Sequence, residues 1–530
     1  MSSQLSSFII TCLGRLAVLI LLIRSSDALP FSRLKKSKPW KPSAHELSHL
    51  EANGRMVSSK TMTSILELNT AAKFSTIDEG YVGFTLSFLT GEVAHWSNTS
   101  ILFIDLKSPQ LRTLVKRLSP AILRVGGGWE YKVVMNVNGS ECETQGTPPE
   151  FCLTMGRWHE ILEFANDTQI DVVWGLGAQR RANGLSQLDF DNIRDFLAYT
   201  STMPDELKGR ILGFELGNEL DDADFVRTSS AVAPQVLARD YLFLAQILEL
   251  FFPGRHCPPS SGVSCSRPLL VGPAQHPNVD FARRFLGACG WVLDAFTFHS
   301  YVGYGGDAAL SSKLVNQAFL EASWEQAAPT VEVAFSLAPE AAVWAGETSS
   351  AWSSGRCGVT DRWWSMLWYA NTLGRFARGG VSRFAYHSLN GGCYALVNKT
   401  SLQPHPNYWL AVAFHDLMGT GVLDLRVLEG LEEGEAGGSK NLMVYAHTSK
   451  RFFDNTTHGA TLLLINIDPA VTREVQLTED PHLLLPRREY LLQPGSLGLD
   501  SNVVLLNGVE LMFRGGNLSC LVDLGRWNFP

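Results

Sequence analysis

Short apolar runs alternate with amphipathic stretches along most of this chain. Eight runs have strand length: Val82–Leu86, Ala121–Val125, Asp171–Leu176, Ile211–Leu216, Leu269–Gly272, Ala295–Phe298, Ala342–Ala345 and Val381–Ala385. They are nearly continuously apolar, as strands covered on both faces are. Between them, segments such as Pro109–Leu118 and Gln235–Leu248 carry apolar residues three and four apart, the spacing of a helix with one buried face. Strands alternating with helices over residues 76–418 predict an α/β fold, a (β/α)8 TIM barrel.

The pattern changes after residue 418. Leu423–Val427, Leu442–Ala446, Ala460–Ile465, Glu474–Leu477, Tyr490–Leu492 and Val503–Leu506 are short strands between turn signals, with no helical period. They predict a C-terminal β-sandwich over residues 419–530. Thr61–Asn69 is a further strand, and segment 61–75 is expected to join that sandwich. Glu429–Lys440 is rich in Glu and Gly and predicts an exposed loop.

The N-terminus looks like an address. Leu16–Ile23 is an apolar run of leader length, too short to span a bilayer as a helix, and Ser26-Asp27-Ala28 offers small residues for cleavage. Residues 1–28 are therefore expected to be a signal peptide; membrane association is expected only if that segment stays on. Residues 29–60 form a polar arm whose Arg33, Lys35, Lys36, Lys38 and Lys41 suit a solvated tail. Six sequons, at Asn98, Asn138, Asn166, Asn398, Asn455 and Asn517, fit export to a secreted or lysosomal destination. Of nine cysteines, Cys12 would leave with the leader. Cys142/Cys152 and Cys257/Cys265 are close enough to close small loops, while Cys289, Cys357, Cys393 and Cys520 remain unpaired by inspection.

The formal charge is −8, and losing Arg15, Arg24 and Asp27 makes it −9. That excludes a broad basic surface of the kind that binds nucleic acid.

Candidate chemistry rests on two glutamates. Glu219 follows Asn218 just beyond Ile211–Leu216, and Glu347 closes the run around Ala342–Ala345. Carboxyls at the C-terminal ends of barrel strands sit where such barrels build active sites. A pair of them is the equipment for glycoside hydrolysis: one protonates the leaving oxygen and the other attacks the sugar. The Asn218 amide suits a sugar 2-hydroxyl. His299 and Tyr301 end the sixth run and are candidates to orient a carboxylate or touch the sugar. Gly126-Gly127-Gly128 allows close approach of backbone to ligand, and equally a tight turn. His45-Glu-Leu-Ser-His49 matches a zinc pattern, but Ser43–Glu46 is also a good capping box on a polar arm, so no metal is expected. No organic cofactor is expected either, because two carboxyls suffice.

Four motifs stand in register: Leu123–Gly127, Phe214–Glu219, Gly346–Ala351 and Pro406–Leu410. Together they resemble the heparanase and heparanase-like glycosidases of glycoside hydrolase family 79. The resemblance implies a retaining β-glucuronidase with Glu219 as acid/base and Glu347 as nucleophile. It also implies that His299 and Tyr301 flank the nucleophile, that Gly391, Gly392 and Tyr394 hold the glucuronate carboxylate, and that Gln275 lines the cleft. Ser87 stands where most relatives carry Asp, Gly128 where they carry Thr, and His387 where they usually carry Gln. The loops that bear sulfate-binding arginines in animal members have none here, and the long excised linker is missing. The chain thus looks nearer the plant-type, single-chain members.

The expected partner is a glucuronide-containing glycan or proteoglycan, with low-sulfate or arabinogalactan-type glucuronides favoured over heparan sulfate. The competing readings are another retaining barrel β-glycosidase, or a heparanase-like protein that binds glycans with little turnover.

Overall fold

The computed structural model describes residues 8–13, 17–24, 60–89, 95–178, 181–182, 187–222, 232–254, 267–429, 441–450, 459–478, 487–519 and 526–528. The arm at 29–59, with its His45–His49 pattern, lies outside them, as do Cys257/Cys265 and the 430–440 loop.

Eight parallel strands close into a barrel: β1 (Val82–Ser87), β2 (Ile122–Gly126), β3 (Asp171–Leu176), β4 (Ile211–Leu216), β5 (Leu269–Gln275), β6 (Ala295–Tyr304), β7 (Ala342–Trp352) and β8 (Arg383–Tyr386). They lie in sequence order around the ring, and β8 pairs with β1 to close it. Helices such as Pro109–Arg117 and Pro234–Phe251 cover the outside, burying Leu111, Leu114 and Val115 in the first and Leu237, Tyr241 and Leu244 in the second. Inside, Val173, Leu269, Val271, Ala295 and Trp344 form an apolar plug. The polar site stands at the C-terminal ends of the strands, and Arg383, at the start of β8, lies over the Trp344 ring of the plug.

β6 and β7 continue past the barrel rim as a paired ribbon, from His299↔Glu347 to Tyr304↔Trp352. This extension makes them longer than the sequence pattern indicates.

The second layer is a large sheet built from both ends of the chain. Lys60–Thr76 pairs antiparallel with Met418–Glu429 and parallel with Val471–Thr478. It docks on the barrel through the helix Trp363–Arg378. Tyr445 Oη donates to Asn371 Oδ1 at 2.6 Å, and Trp363 Nε1 donates to Val503 O at 3.1 Å.

The apolar segment expected to be a leader is a strand of this sheet. Ala17–Arg24 pairs on one side with Gly459–Asn466 and on the other with Arg487–Pro494, with Val18 and Ile20 fully buried. The pairing belongs to the full-length chain, in which an apolar run of leader length also satisfies the burial requirement of an inner strand. No helix of the described residues is long and apolar enough to cross a membrane.

Candidate active site

One buried arginine organises the mouth of the barrel. Arg124, on β2, is 2% exposed. Its Nε donates to Glu215 Oε2 at 2.6 Å, Nη1 to Glu347 Oε2 at 2.7 Å and Nη2 to Asn218 Oδ1 at 2.9 Å. Burial opposes the guanidinium charge, but Glu215, Glu347 and Glu130 outweigh it and drive the pKa up. Glu215 also accepts from Thr297 Oγ1 at 2.7 Å. One side chain therefore fixes the ends of β4 and β7 relative to each other.

Glu347 is held as an anion. Its Oε1 accepts from the Tyr301 hydroxyl at 2.5 Å and lies 3.8 Å from His387 Nδ1. Burial works against its charge, yet His387, His299, Arg124 and the Tyr301 hydrogen bond together hold the carboxyl well below its ordinary value. His387 is itself pushed toward its neutral form by burial, so the lasting cause is the permanent charge of Arg124. The His387 ring is fixed by Thr85, 2.6 Å from Nδ1.

Glu219 reaches its place through strained backbone. The Tyr241 hydroxyl takes the Leu216 N–H at 3.1 Å, so β4 leaves its ladder just before the chain turns to Asn218 and Glu219. Glu219 then adopts φ 52°, and its N–H donates to Ala274 O at 2.8 Å. Ala274 is also left-handed, at φ 54°, and its N–H donates to Thr297 Oγ1 at 2.9 Å. Such residues cost on the order of 1–3 kcal/mol each and gather at functional sites.

The two glutamates meet. Ligand-type atoms of Glu219, His299 and Glu347 all lie within 4.8 Å of one another. Glu347 already spends both oxygens on Tyr301 and Arg124, and that guanidinium repels a cation, so the donor set does not suit a metal. His299 Nδ1 is 2.8 Å from Glu219 Oε1, while its Nε2 is buried without a partner. Asn218 and Tyr301 are in the cluster too, as their positions in sequence imply.

Tyr394 flanks the Glu347 side, its ring 5.2 Å from that of His387 and 6.2 Å from that of Trp96. Gly391 and Gly392 lead into it at φ 100° and 73°. A Cβ on Gly391 would sit 2.6 Å from the Trp96 ring, and one on Gly392 2.6 Å from the Tyr394 ring. Packing alone demands glycine there. Gly128 is half-buried in the turn after β2. Gln275 is fully buried, and its amide donates to His276 O and Asn278 O at 3.0 Å each. Its Nε2 thereby braces the loop, while its Oε1 is buried without a hydrogen-bond partner among the described residues. Ser87 spends its hydroxyl accepting the Leu89 N–H at 3.0 Å, so it ends β1.

Several members of the site escaped the sequence reading. Ser353, Ser354 and Gly355 follow β7 in three successive left-handed conformations, at φ 59°, 63° and 69°. Trp96 Nε1 donates to Ser354 Oγ at 2.8 Å, and the disulfide Cys357–Cys393 ties this turn to the Tyr394 loop. His95 lies beside that disulfide, whose sulfurs are already bonded to each other. The pair Cys142–Cys152 also forms, and Cys289 is a buried free thiol.

Glu130 lies 3% exposed, with neither carboxyl oxygen hydrogen-bonded. It occupies space left by Gly175, whose Cβ would lie 2.5 Å from Glu130 Oε2; Gly175 is the register partner of Glu215. Burial first, then Glu215, Glu347 and Glu219, push its pKa well above the usual range against the pull of Arg124. Arg124 and Glu215 were legible in principle, since charges inside apolar strands must find buried counter-charges. Glu130, in a turn, offers no such signal.

A closed parallel barrel with paired carboxyls at the strand ends defines a glycoside hydrolase. The profile "Glycosyl hydrolase family 79, N-terminal domain" matches residues 63–374, more than half of the chain. The chain belongs to that family. It is 26% identical over 502 residues to "Heparanase-like protein 2" of Arabidopsis thaliana, covering 84% of this chain and 87% of that one. It is 27% identical over 468 residues to "Baicalin-beta-D-glucuronidase" of Scutellaria baicalensis, covering 81% and 82%. It is 26% identical over 494 residues to "Heparanase" of Rattus norvegicus, covering 84% and 86%. Among solved structures, a 4-O-alpha-L-rhamnosyl-beta-D-glucuronidase from Fusarium oxysporum superposes with a TM-score of 0.53 at 14% identity, covering 87% of this chain and 94% of that one. That likeness is one of fold.

Proposed function

We propose that this protein is a retaining β-glucuronidase acting on glucuronic-acid-bearing glycans. The observation that carries the reading is the approach of Glu219 and Glu347 to within 4.8 Å between ligand-type oxygens. Retaining glycosidases separate their carboxyl groups by about 5–5.5 Å, and inverting ones by about 6.5–9.5 Å to admit a water. The glucuronide class is supported by relatives whose names include heparanase, baicalin-beta-D-glucuronidase and, in Hirudo nipponia, hyaluronoglucuronidase.

In the first step Glu347 attacks the anomeric carbon while Glu219 gives its proton to the departing glycosidic oxygen. The C–O bond to the leaving group breaks and a glycosyl ester forms. In the second step Glu219 takes a proton from water, the hydroxyl attacks the same carbon, and Glu347 leaves as a carboxylate. Tyr301 and Arg124 hold Glu347 throughout. With its carbonyl oxygen committed to Arg124, the Asn218 side chain keeps its NH2 for the sugar 2-hydroxyl. Tyr394, with Gly391 and Gly392, takes the glucuronate carboxylate. The arginine at the centre is buried and fully engaged, which favours a glycan of low sulfate content.

Export fits the sequons, of which Asn98, Asn138 and Asn517 are exposed. The test is hydrolysis of an aryl β-D-glucuronide from about pH 4 to 7, with the first-formed anomer read by NMR. Retained configuration, with turnover abolished in Glu219→Gln and Glu347→Gln, is expected. An inverted product, or activity only on neutral β-glycosides, overturns the reading.

A further inference from the structure

We propose that His276, anchored by Asp221, is a positioning residue that sets its imidazole edge against Glu219 and supports that carboxyl when it works as a base. The inference rests on the two-glutamate reading above and deepens it, because that mechanism needs Glu219 in both protonation states in turn.

The geometry is a bridge between two buried carboxyls. His276 follows β5 in the loop that Gln275 braces. Its ring Nδ1 lies 3.3 Å from Asp221 Oδ1, and its own backbone N–H donates to that same oxygen at 3.2 Å. Ring Nε2 lies 3.6 Å from Glu219 Oε1. The side chains of Asp221 and Glu219 are 2% and 3% exposed, whereas that of His276 is 32% exposed. The ring thus has one polar edge on each carboxyl and access to solvent for its proton.

His299 touches the same Glu219 oxygen from β6, but the two imidazoles are not equivalent. A proton on His299 Nε2 would be buried with no acceptor, which is costly. His299 is therefore suited to donate one proton, from Nδ1 to Glu219. His276 has the Asp221 carboxylate at hydrogen-bond distance from Nδ1 and the Glu219 carboxylate 3.6 Å from Nε2. The charged groups facing it are Asp221, Asp222 and Glu219, all from the turn after β4. Burial alone lowers its pKa, but the hydrogen bond to Asp221 and the charges of Glu219, Asp221 and Asp222 reverse this and carry it to about 9.

A cation beside a carboxylate favours its ionised form. Glu219 must be ionised when it activates water in the second step, so His276 favours release of the product from the ester. The first step needs the protonated carboxyl, so loss of the cation favours that step. The signal was invisible in sequence because a lone His in a Gly-Pro loop has no periodicity.

The experiment uses His276→Gln, Asp221→Asn and His276→Lys in the full chain, with two readouts. The first is the pH profile of kcat and kcat/KM on aryl glucuronides with good and poor leaving groups. His276→Gln should move the alkaline limb of kcat/KM upward by at least half a pH unit. With a good leaving group, whose departure needs little protonation, kcat should fall about tenfold, KM should fall with it, and a burst of aryl product should appear. His276→Lys should restore most of kcat. A uniform drop with unmoved limbs and no rescue by lysine overturns the proposal. The second readout needs no turnover: NMR titration of the labelled His276 ring. It should stay protonated beyond pH 7.5 and titrate at lower pH in both Asp221→Asn and Glu219→Gln. A ring that titrates near pH 6.5 whatever the partner overturns the proposal, even if the protein hydrolyses glucuronides. Absent hydrolysis with the expected titration would instead sink the glucuronidase reading and leave the bridge standing.

Discussion

Tyr301 donates its hydroxyl to Glu347 Oε1 at 2.5 Å, across the paired ends of β6 and β7. The oxygen that Tyr301 does not hold is held by Arg124. The same carboxylate is thus oriented by a neutral donor and by a permanent cation, and the two are separable by mutation.

Tyr301→Phe removes one donor to a charged acceptor and leaves the ring packing intact. Hydrogen bonds to charged groups contribute roughly 1.5–3 kcal/mol. The expected loss is therefore about 10- to 100-fold in kcat/KM on an aryl glucuronide. The sign of the pH effect is fixed: the donor helps keep the Glu347 carboxyl below its ordinary value, so its removal moves the acidic limb upward. A variant with unchanged kcat/KM and an unmoved acidic limb would contradict the role given to Tyr301.

Arg124→Met should damage the fold before it damages chemistry. Removing one partner of a buried ion pair strands the remaining charge and costs about 3–5 kcal/mol, and here Glu215 and Glu347 are both stranded. Arg124→Lys should rescue little, because three partners in different directions need a planar fork. Denaturant melts in the two variants measure this. Linkage adds a pH signature. Glu347 has a folded pKa below the ordinary 4.5, so its contribution is present above that value and is lost as pH falls through the lowered one. The wild-type acid transition should flatten in Arg124→Met.

Glu130 makes the opposite prediction. Its folded pKa is raised well above the ordinary 4.5, so the folded state holds its proton to higher pH than the unfolded chain does. Its contribution is full below the unfolded pKa and fades as pH rises toward the folded value. Glu130→Gln keeps the shape and removes the titration. It should melt at the same temperature as wild type near pH 4 and higher near pH 8, with activity within about threefold. Glu130→Ala leaves a cavity over Gly175 and should be destabilised at every pH, by roughly 2 kcal/mol or more. The same melting offset between Glu130→Gln and wild type at pH 4 and pH 8 would show that the carboxyl does not titrate as described.

The sequence pattern placed all eight barrel strands, because a strand buried on both faces must be apolar along its length, and chain order then fixes the ring. It placed Glu219 and Glu347 because carboxyls at the ends of such strands have few other uses. What it missed depends on contacts between distant segments. Glu130 matters only because Gly175, on another strand, leaves room for it, and His276 only because the turn after β4 brings Asp221 and Glu219 to it. Gln275 entered only through the family resemblance, and the bonds of its Nε2 to its own loop could not be read from sequence. Ala17–Arg24 reads as a leader by composition, and in the full-length chain the same run pairs as an inner strand.

That strand gives the last prediction. Ala17–Arg24 touches the active site nowhere along its ladder: its partners are Gly459–Asn466 and Arg487–Pro494, both in the sandwich. A chain begun at Leu29 loses those backbone hydrogen bonds and the burial of Val18 and Ile20. It also exposes two strand edges, a known route to association. The hydrogen bonds from Arg124 to Glu215, Asn218 and Glu347 all lie within the barrel. The shortened chain should therefore keep kcat/KM on an aryl glucuronide within about threefold while melting several degrees lower and self-associating more readily. Melting scans, light scattering and turnover on the same samples test this together. A matching fall in turnover and melting temperature would mean that the sandwich supports the site directly, and an unchanged melt would mean that the strand contributes nothing to the fold.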